Sequence, residues 1–540
     1  MESAMRAEKP RRVPRRRRLA GWAAAAAIAL GASTIPAAAA ATANDGPTGI
    51  AQAGSAAGGC SALDALELSD TVSVTAELVQ SGSDVAGQMA LPEFCRVALT
   101  VSQAINIEVW LPTETYNGRF QAVGNGGYAG NISYRAMATA LRGGYATSST
   151  DTGHVGTSLD GTFALNPDGT LNDQLIEDFA SRSVIEMTLK AKELIGAFYG
   201  ADAEYSYWNG CSTGGRQGLR LAQELPGAYD GIIAASPAIS WDRLFNAALW
   251  GYVVQQNELG GLMSACKLKA FNDASIAHCD DYDGVVDGVL GDPNLCDFDP
   301  ATLVGQDFGC GAITEAEAVA VRKLWEGPRT PEGEQLWFGQ PHGLPLQTYA
   351  SPPNSALQDH LAYWIKQDPS FDWRTLDYAG FEEAFRDAQA SFGAVMGSDD
   401  PDLRPFRDAG GKIVMWAGQA EQTMPGQTPH YYERVVDVFR SATQVQRFMR
   451  LFMAPGVGHC GGGAGPNVFD SFGALVDWVE HGVAPDSILA SRVSGGQVVR
   501  SQPLCPYPLV ARYDGRGEVN DASSYDCRRN YGAASAPNGR

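Results

Sequence analysis

Histidine and positive charge are scarce in this chain, and long uncharged apolar stretches are confined to its N-terminal end. The 540 residues include 7 histidines, and 61 Asp and Glu outnumber 40 Lys and Arg. The formal net charge is −21, and it becomes about −27 once the net +6 of the first 18 residues is removed. Because such charge repels nucleic acid and anionic membranes, we expect neither as a partner, and solubility is its simplest role.

Residues 1–41 have the three parts of a cleaved signal peptide. A basic stretch at Arg11–Arg18 precedes an apolar stretch at Leu19–Leu30, and Ala37–Ala41 offers small residues for cleavage. A membrane anchor is the alternative because residues 19–43 carry no charge, but a segment so rich in alanine is weakly hydrophobic, which favours cleavage. We therefore expect a secreted protein with a flexible lead-in at 42–59 and no membrane partner after cleavage.

Export also bears on the cysteines, since an even number in a secreted chain indicates disulfide bonds. The sequence alone leaves their pairing open. The ten cysteines are Cys60, Cys95, Cys211, Cys266, Cys279, Cys296, Cys310, Cys460, Cys505 and Cys527.

The order of the predicted elements is typical of an α/β protein. Between residues 145 and 236 strands alternate with helices, which predicts a mostly parallel sheet covered by helices. The pattern loosens afterwards and returns at the strand Lys412–Trp416. We predict a core in two parts, 60–239 and 401–540, with a lid domain inserted at 240–400. A length of 540 residues, 44% of them hydrophobic, suits a large core with an insertion.

The motif Gly210-Cys-Ser-Thr-Gly214 fits G-x-S-x-G, the elbow that presents a nucleophilic serine in α/β-hydrolases. A strand predicted at Tyr205–Trp208 and a helix predicted at Arg216–Leu225 supply the context that the motif requires. A plain glycine-rich turn is the alternative. The context favours Ser212 as a nucleophile and an α/β-hydrolase fold.

The stretch Gly124-Asn-Gly-Gly-Tyr128 follows a short predicted strand. Glycines there let backbone N–H groups approach a ligand, and in an α/β-hydrolase such a loop supplies one arm of the oxyanion hole. We predict that the hole is formed by Thr213 together with Gly126 or Gly127. An ordinary hairpin turn is the alternative.

A serine nucleophile needs a base and an acid, in the chain order Ser, acid, His. His459 follows a predicted strand at 451–454, and Glu421 is the only carboxylate in the loop Ala417–Gln422. We therefore predict a Ser212–Glu421–His459 triad that cleaves an ester through an acyl-enzyme. For His459, a surface-loop histidine is the alternative.

Two cysteines are adjacent to the predicted catalytic residues: Cys211 precedes Ser212, and Cys460 follows His459. If the serine and histidine meet, the cysteines come close enough to bridge. Such a bond closes a loop of roughly 250 residues and stabilises the fold by about 5 kcal/mol in the chain-entropy model.

A second candidate site lies at residues 279–289, where four aspartates occupy eight positions. Carboxylates and loop carbonyls are the ligands of a hard cation such as Ca²⁺, although the spacing does not fit an EF-hand. A solvated acidic turn is the alternative. The candidate ligands are the carboxylates of Asp280, Asp283 and Asp287 and the carbonyls of Val285 and Val289.

The Cys211-Ser212 and His459-Cys460 pairs resemble the paired signature of the tannase and feruloyl esterase family. The similarity covers most of the mature chain and includes 124–128, 149–154, 280–289, 400–403 and 455–463. The resemblance implies an α/β-hydrolase with a lid, structural calcium at the acidic loop, and an esterase for small aromatic esters of the feruloyl, galloyl or terephthalate monoester type. It also implies the pairs Cys211–Cys460, Cys279–Cys296, Cys505–Cys527, Cys60–Cys95 and Cys266–Cys310.

The acid loop departs from the family pattern, which has aspartate where Gly418-Gln-Ala-Glu421 has glutamate. We predict that Glu421 replaces the aspartate. A serine peptidase or lipase on the same fold and a catalytically weak calcium-dependent binding protein are the alternatives. Arg374 and Arg386 are candidates to pair with a substrate carboxylate, although arginines are mostly surface residues.

Overall fold

A computed structural model of the chain describes residues 56–423 and 426–529. The predicted signal peptide, its membrane-anchor alternative and most of the lead-in lie outside the described residues. No helix in the described part is long and apolar enough to cross a membrane.

Nine strands form one mixed sheet at the centre of the fold. They are β1 (Thr71–Val79), β2 (Phe94–Val101), β3 (Ile105–Pro112), β4 (Arg119–Val123), β5 (Ala146–Thr150), β6 (Tyr205–Cys211), β7 (Gly231–Ala235), β8 (Lys412–Gly418) and β9 (Met449–Ala454). Their spatial order is β1-β2-β3-β5-β4-β6-β7-β8-β9. Strands β1, β2, β3 and β5 pair antiparallel, and the strands from β5 to β9 pair in parallel. The carboxyl ends of β4, β6, β8 and β9 therefore meet at one edge, where ligands bind in open α/β sheets.

Helices cover both faces of the sheet. The helices are α1 (Ala56–Ser61), α2 (Tyr134–Arg142), α3 (Asp173–Glu177), α4 (Ser183–Tyr199), α5 (Thr213–Glu224), α6 (Trp241–Leu259), α7 (Ala265–Cys279), α8 (Glu315–Glu326), α9 (Ser355–Asp359), α10 (Tyr378–Met396), α11 (Arg404–Asp408), α12 (Gln427–Phe439), α13 (Ala442–Val445) and α14 (Ser471–His481). Successive residues of β7 and β8 alternate between two apolar clusters, one with α4 and α5 and one with α14. Burial of both faces explains why these parallel strands are near-continuous apolar runs.

The segment between β7 and β8, here called the helical region (residues 241–411), adds no strand to the sheet among the described residues. Its helices pack in an apolar cluster of their own, which also includes Tyr128 and Phe179 from the core. The exact bounds of the predicted lid domain remain a prediction.

One predicted helix contains a local change in its hydrogen bonding. The sequence predicts a helix over Asp173–Tyr199, and the structure is helical throughout this range, with a π-helical turn at Asp178–Arg182. The carbonyl groups of Phe179 and Ala180 accept hydrogen bonds from the Arg216 guanidinium at 3.0 and 2.8 Å. These contacts outside the helix account for the local change in hydrogen-bonding pattern.

The C-terminal part forms two hairpins, β10 (Ile488–Ser494) with β11 (Gln497–Leu504) and β12 (Leu509–Tyr513) with β13 (Tyr525–Arg529). The Cys505–Cys527 disulfide joins the residue after β11 to the last strand of the second hairpin. The structure contains all five disulfides that the family resemblance implies, with Cα–Cα separations from 5.4 to 6.2 Å. These separations lie within the range that a disulfide spans.

Candidate active site

Ser212 lies at the tip of the turn between β6 and α5. Its backbone has φ 62° and ψ −121°, a conformation that a non-glycine residue adopts only under constraint. Its N–H donates to the Ala235 carbonyl at 2.9 Å, and its own carbonyl accepts from the Ala238 N–H at 3.1 Å. The end of β7 and the residues that follow it therefore hold the strained turn in place.

Glycines let this elbow touch the loop at 124–128. A Cβ on Gly124 would lie 2.4 Å from the Cα of Gly214, and a Cβ on Gly214 would lie 3.0 Å from the Cα of Gly124. The Gly214 N–H donates to the Asn125 carbonyl at 2.8 Å. Any side chain at either position would push the two backbones apart.

The 124–128 loop joins β4 to α2, so the hairpin alternative is wrong. The Asn125 N–H donates to Gln217 Oε1, and Gln217 Nε2 donates to Asn125 Oδ1, both at 3.1 Å. Thr213 Oγ1 donates to the Gly127 carbonyl at 2.7 Å. The sequence does not predict this contact of Gln217, because nothing in the local pattern of α5 relates it to a loop 92 residues away.

Within the described residues, the N–H groups of Thr213, Gly126 and Gly127 donate to no protein acceptor. A Cβ built on Gly126 would meet no heavy atom within 4 Å, so the space beside it is open. Unpaired donors next to open space are what an oxyanion hole requires.

His459 lies in the loop after β9, and Glu421 lies in the loop after β8. Glu421 Oε1 contacts His459 Nδ1, and the two side chains are 4% and 33% exposed. A Cβ on Gly418 would lie 2.3 Å from the Val457 carbonyl oxygen, so the loops that carry the acid and the histidine are in direct backbone contact. The glutamate side chain thus reaches the histidine from this position.

Burial lowers the pKa of His459, but the hydrogen bond and negative charge of Glu421 outweigh burial and raise the pKa above its ordinary value. A buried carboxylate in this position stabilises an imidazolium and fixes the tautomer of the neutral ring. The pair is therefore suited to accept a proton at Nε2.

The Cys211–Cys460 disulfide joins the residue before Ser212 to the residue after His459. The two Cα atoms are 5.9 Å apart, across a sequence separation of 249 residues. The structure thus brings the elbow and the His459–Glu421 pair to the same edge of the sheet.

A cavity of about 370 Å³ opens beside His459. Its walls come from the loops after β8 and β9, from residues 288–293 and from residues 342–348 of the helical region. No Asp, Glu, Lys or Arg from the described chain lines it. His342 Nδ1 and Ser275 Oγ are 2.7 Å apart, and burial lowers the pKa of His342 to about 4. The lining is therefore neutral near pH 7, apart from His459 itself.

The aspartates of the second candidate site form a loop that folds back on itself. Asp280, Asp283 and Asp287 each accept at least one backbone N–H of the loop, at 2.9 to 3.0 Å. Burial, and then the charge of neighbouring aspartates, raise the pKa of Asp283 to about 6. Burial also raises the pKa of Asp287, although Arg500 contacts this carboxylate. Asp280 is buried, and Asp283 and Asp287 are partly buried. Carboxylate oxygens are the donor type that a hard cation prefers, although among the described residues these three are not drawn together as a ready-made ligand cluster.

Comparison with known proteins places the chain in a family. The model of the family described as tannase and feruloyl esterase matches residues 84–528. A probable feruloyl esterase of Arthroderma benhamiae is 36% identical over 470 residues, which cover 82% of this chain and 87% of that protein. The crystal structure of feruloyl esterase B from Aspergillus oryzae has a TM-score of 0.77 at 27% identity and covers 88% of this chain and 100% of its own. Tannin acyl hydrolase from Aspergillus niger has a TM-score of 0.74 at 25% identity, with 85% and 90% covered.

Fold and family together define a carboxylic ester hydrolase with the α/β-hydrolase architecture, which confirms the predicted fold and enzyme class. The chain belongs to the tannase and feruloyl esterase family, as the cysteine-flanked serine and histidine indicate.

Proposed function

We propose that the chain is a secreted serine esterase that hydrolyses esters of aromatic acids through an acyl-enzyme on Ser212. The observation that carries this proposal is the meeting of the strained Ser212 elbow and the His459–Glu421 pair at one edge of the sheet, across the Cys211–Cys460 bond. Five disulfides are in keeping with an oxidising compartment, which supports secretion.

In the proposed mechanism, His459 takes the proton of Ser212 as its Oγ attacks the ester carbonyl carbon. Glu421 stabilises the imidazolium that results. The N–H groups of Thr213 and of Gly126 or Gly127 donate to the oxyanion. The alcohol then leaves with the proton from His459, and water activated by His459 releases the acid and restores Ser212.

The cavity beside His459 favours uncharged substrates. Its lining includes no Lys or Arg among the described residues, so a substrate carboxylate finds no permanent cation there, and burying a carboxylate without one is costly. Arg374 and Arg386 pair instead with Asp372 at 3.0 Å and Glu382 at 2.7 Å, and both are exposed. Feruloyl and galloyl esters therefore fit better than a terephthalate monoester, in keeping with the names of the relatives.

The test uses protein recovered from the culture medium, with its N-terminus sequenced to check cleavage near Ala37–Ala41. The substrates are methyl ferulate, methyl gallate, mono(2-hydroxyethyl) terephthalate and the methyl ester of that last compound, which differs from it by one charge. We expect hydrolysis of the uncharged esters, with kcat/KM at least about tenfold higher for the methylated terephthalate than for the acid. Preference for the anionic member contradicts the substrate assignment, and inactivity on all four contradicts the esterase.

We also propose that the acidic loop holds a structural Ca²⁺ through the carboxylates of Asp280, Asp283 and Asp287 and the carbonyls of Val285 and Val289. A Cβ on Gly456 would lie 2.8 Å from the Val289 side chain, so this loop packs against the segment that carries His459. A bound cation would offset the mutual repulsion of the carboxylates and hold that packing.

Chelation of calcium is expected to lower the temperature of thermal unfolding by several degrees, because a ligand that binds only the folded state stabilises it. Differential scanning fluorimetry with EGTA, and then with calcium in excess, measures the change. Restoration by Ca²⁺ but not by Mg²⁺ supports the site, and an unfolding temperature that EGTA leaves unchanged refutes it. The Asp287→Asn variant should show a smaller response to EGTA than the parent.

A further inference from the structure

We propose that Tyr128 and His360 form a positioning pair. The pair holds the loop at residues 124–128, here called the oxyanion loop, against the helical region. This inference rests on the proposed function, because it gives a role to residues that act through the same site. His360 lies 232 residues after Tyr128, in a π-helical turn over His360–Ile365 of the helical region.

Tyr128 is the residue that fixes the downstream end of the oxyanion loop. Its hydroxyl and His360 Nδ1 are 2.8 Å apart. Its carbonyl lies 2.8 Å from His154 Nε2, and its N–H donates to the Ser158 carbonyl at 3.0 Å. Two of the seven histidines of the chain therefore contact this one tyrosine.

The upstream end of the loop has a different anchor. Asn125 is held by the paired amide hydrogen bonds with Gln217 on α5, the helix that begins after Ser212. Between the two anchors, the N–H groups of Gly126 and Gly127 donate to no protein acceptor within the described residues. The peptides that carry these donors are held by the Gly214 N–H on the Asn125 carbonyl and the Ala129 N–H on the Gly126 carbonyl, at 2.8 and 3.0 Å. Asn125 and Tyr128 fix the two ends of the loop between which these contacts are made.

If His360 served stability alone, its buried nitrogen without a hydrogen-bond partner would be an unfavourable choice. Both Tyr128 and His360 are 0% exposed, and His360 Nε2 has no hydrogen-bond partner among the described residues. Burial lowers the pKa of His360 to about 3, so the ring is neutral. Phe245 stacks on both rings, with centroid distances of 5.1 Å to Tyr128 and 4.7 Å to His360. Two phenylalanine side chains would pack in such an apolar site and leave no nitrogen without a partner. The Tyr128–His360 hydrogen bond therefore points to a role in orienting Tyr128.

The experiment compares Tyr128→Phe, His360→Phe and the double variant in the full chain. Tyr229→Phe is the matched control, because the Tyr229 hydroxyl makes a buried 2.8 Å hydrogen bond to Thr188 on α4, outside the helical region. Each variant is assayed on methyl ferulate and on its thionoester, in which sulfur replaces the carbonyl oxygen. Since sulfur is a poor hydrogen-bond acceptor, the oxoester-to-thionoester ratio of kcat/KM reports the alignment of the oxyanion donors.

We expect kcat for the oxoester to fall by about 10- to 100-fold in all three pair variants, with KM little changed. The oxoester-to-thionoester ratio should fall by a similar factor and stay at the parental value in Tyr229→Phe. The double variant should unfold near the parental temperature, since it leaves neither partner unpaired. Its kcat should remain low, because the hydrogen bond that positions the loop is still missing.

Two results overturn the pair as a positioning device: an unchanged ratio in the single variants, or a double variant with parental rates. Ser212→Ala is assayed alongside so that a failure of the proposed function is distinguished from a failure of the pair. If Ser212→Ala keeps parental activity, the proposed function fails and the pair fails with it. If Ser212→Ala is inactive but the ratio is unchanged in the pair variants, only the pair is refuted.

Discussion

Replacing Ser212 by alanine is expected to lower kcat for an uncharged aromatic ester by at least about 10⁴-fold, because in the proposed mechanism no acyl-enzyme forms without Ser212 Oγ. The fold should be retained, since the hydrogen bonds that hold the elbow involve the Ser212 backbone and not its side chain. Release of the aromatic acid, followed by liquid chromatography, measures the loss. Intact-mass analysis during turnover should show an acyl adduct in the parent that is absent from Ser212→Ala.

The matched control for this experiment is Ser236→Ala. Ser236 directly follows the neighbouring strand β7 and has a positive φ of 31°, like the elbow serine. Its side-chain oxygen is buried without a hydrogen-bond partner among the described residues. It is expected to change kcat by less than about tenfold. A Ser212→Ala variant with more than a small percentage of parental activity, or an adduct on another residue, would refute the acyl-enzyme on Ser212.

The residues of the candidate active site could be predicted from the sequence because each lies in a distinctive local motif. A strained elbow requires small neighbours, so Gly210, Gly214 and the strand–helix context predict Ser212 as the nucleophile from the sequence alone. The order serine, acid, histidine then limits the choice at Glu421 and His459 to one residue in each loop. Because Cys211 and Cys460 are adjacent to the serine and histidine, one long-range contact could also be inferred.

Other contacts between residues far apart in the sequence are not marked by any local motif. The Asn125–Gln217 and Tyr128–His360 pairs span 92 and 232 residues, and neither residue pair belongs to a motif. The helical region was equally hard to predict in detail. Because 14 of the 19 residues of α6 are buried, the helix lacks the broad polar face from which an amphipathic pattern is recognised.

The second large effect concerns Glu421, the predicted acid, at the position where the family resemblance implies aspartate. Glu421→Gln is expected to lower kcat/KM by about 10³- to 10⁴-fold, because an amide neither stabilises the imidazolium nor enforces the productive tautomer of His459. Glu421→Asp keeps the charge but shortens the reach to His459 Nδ1, so a loss of only about tenfold is expected. The ratio of the two losses isolates the effect of the carboxylate charge from that of side-chain length.

The pH profile of these variants supplies an independent readout. Glu421 raises the pKa of His459, whereas burial alone would lower it. The general base is active only when neutral, so kcat/KM of the parent should rise with pH through the raised pKa of His459. In Glu421→Gln this acid limb should move to lower pH, because burial remains and the carboxylate is gone, whereas in Glu421→Asp it should stay above the ordinary histidine value. If Glu421→Gln kept both the parental rate and the parental acid limb, another group would have to be the acid partner of His459.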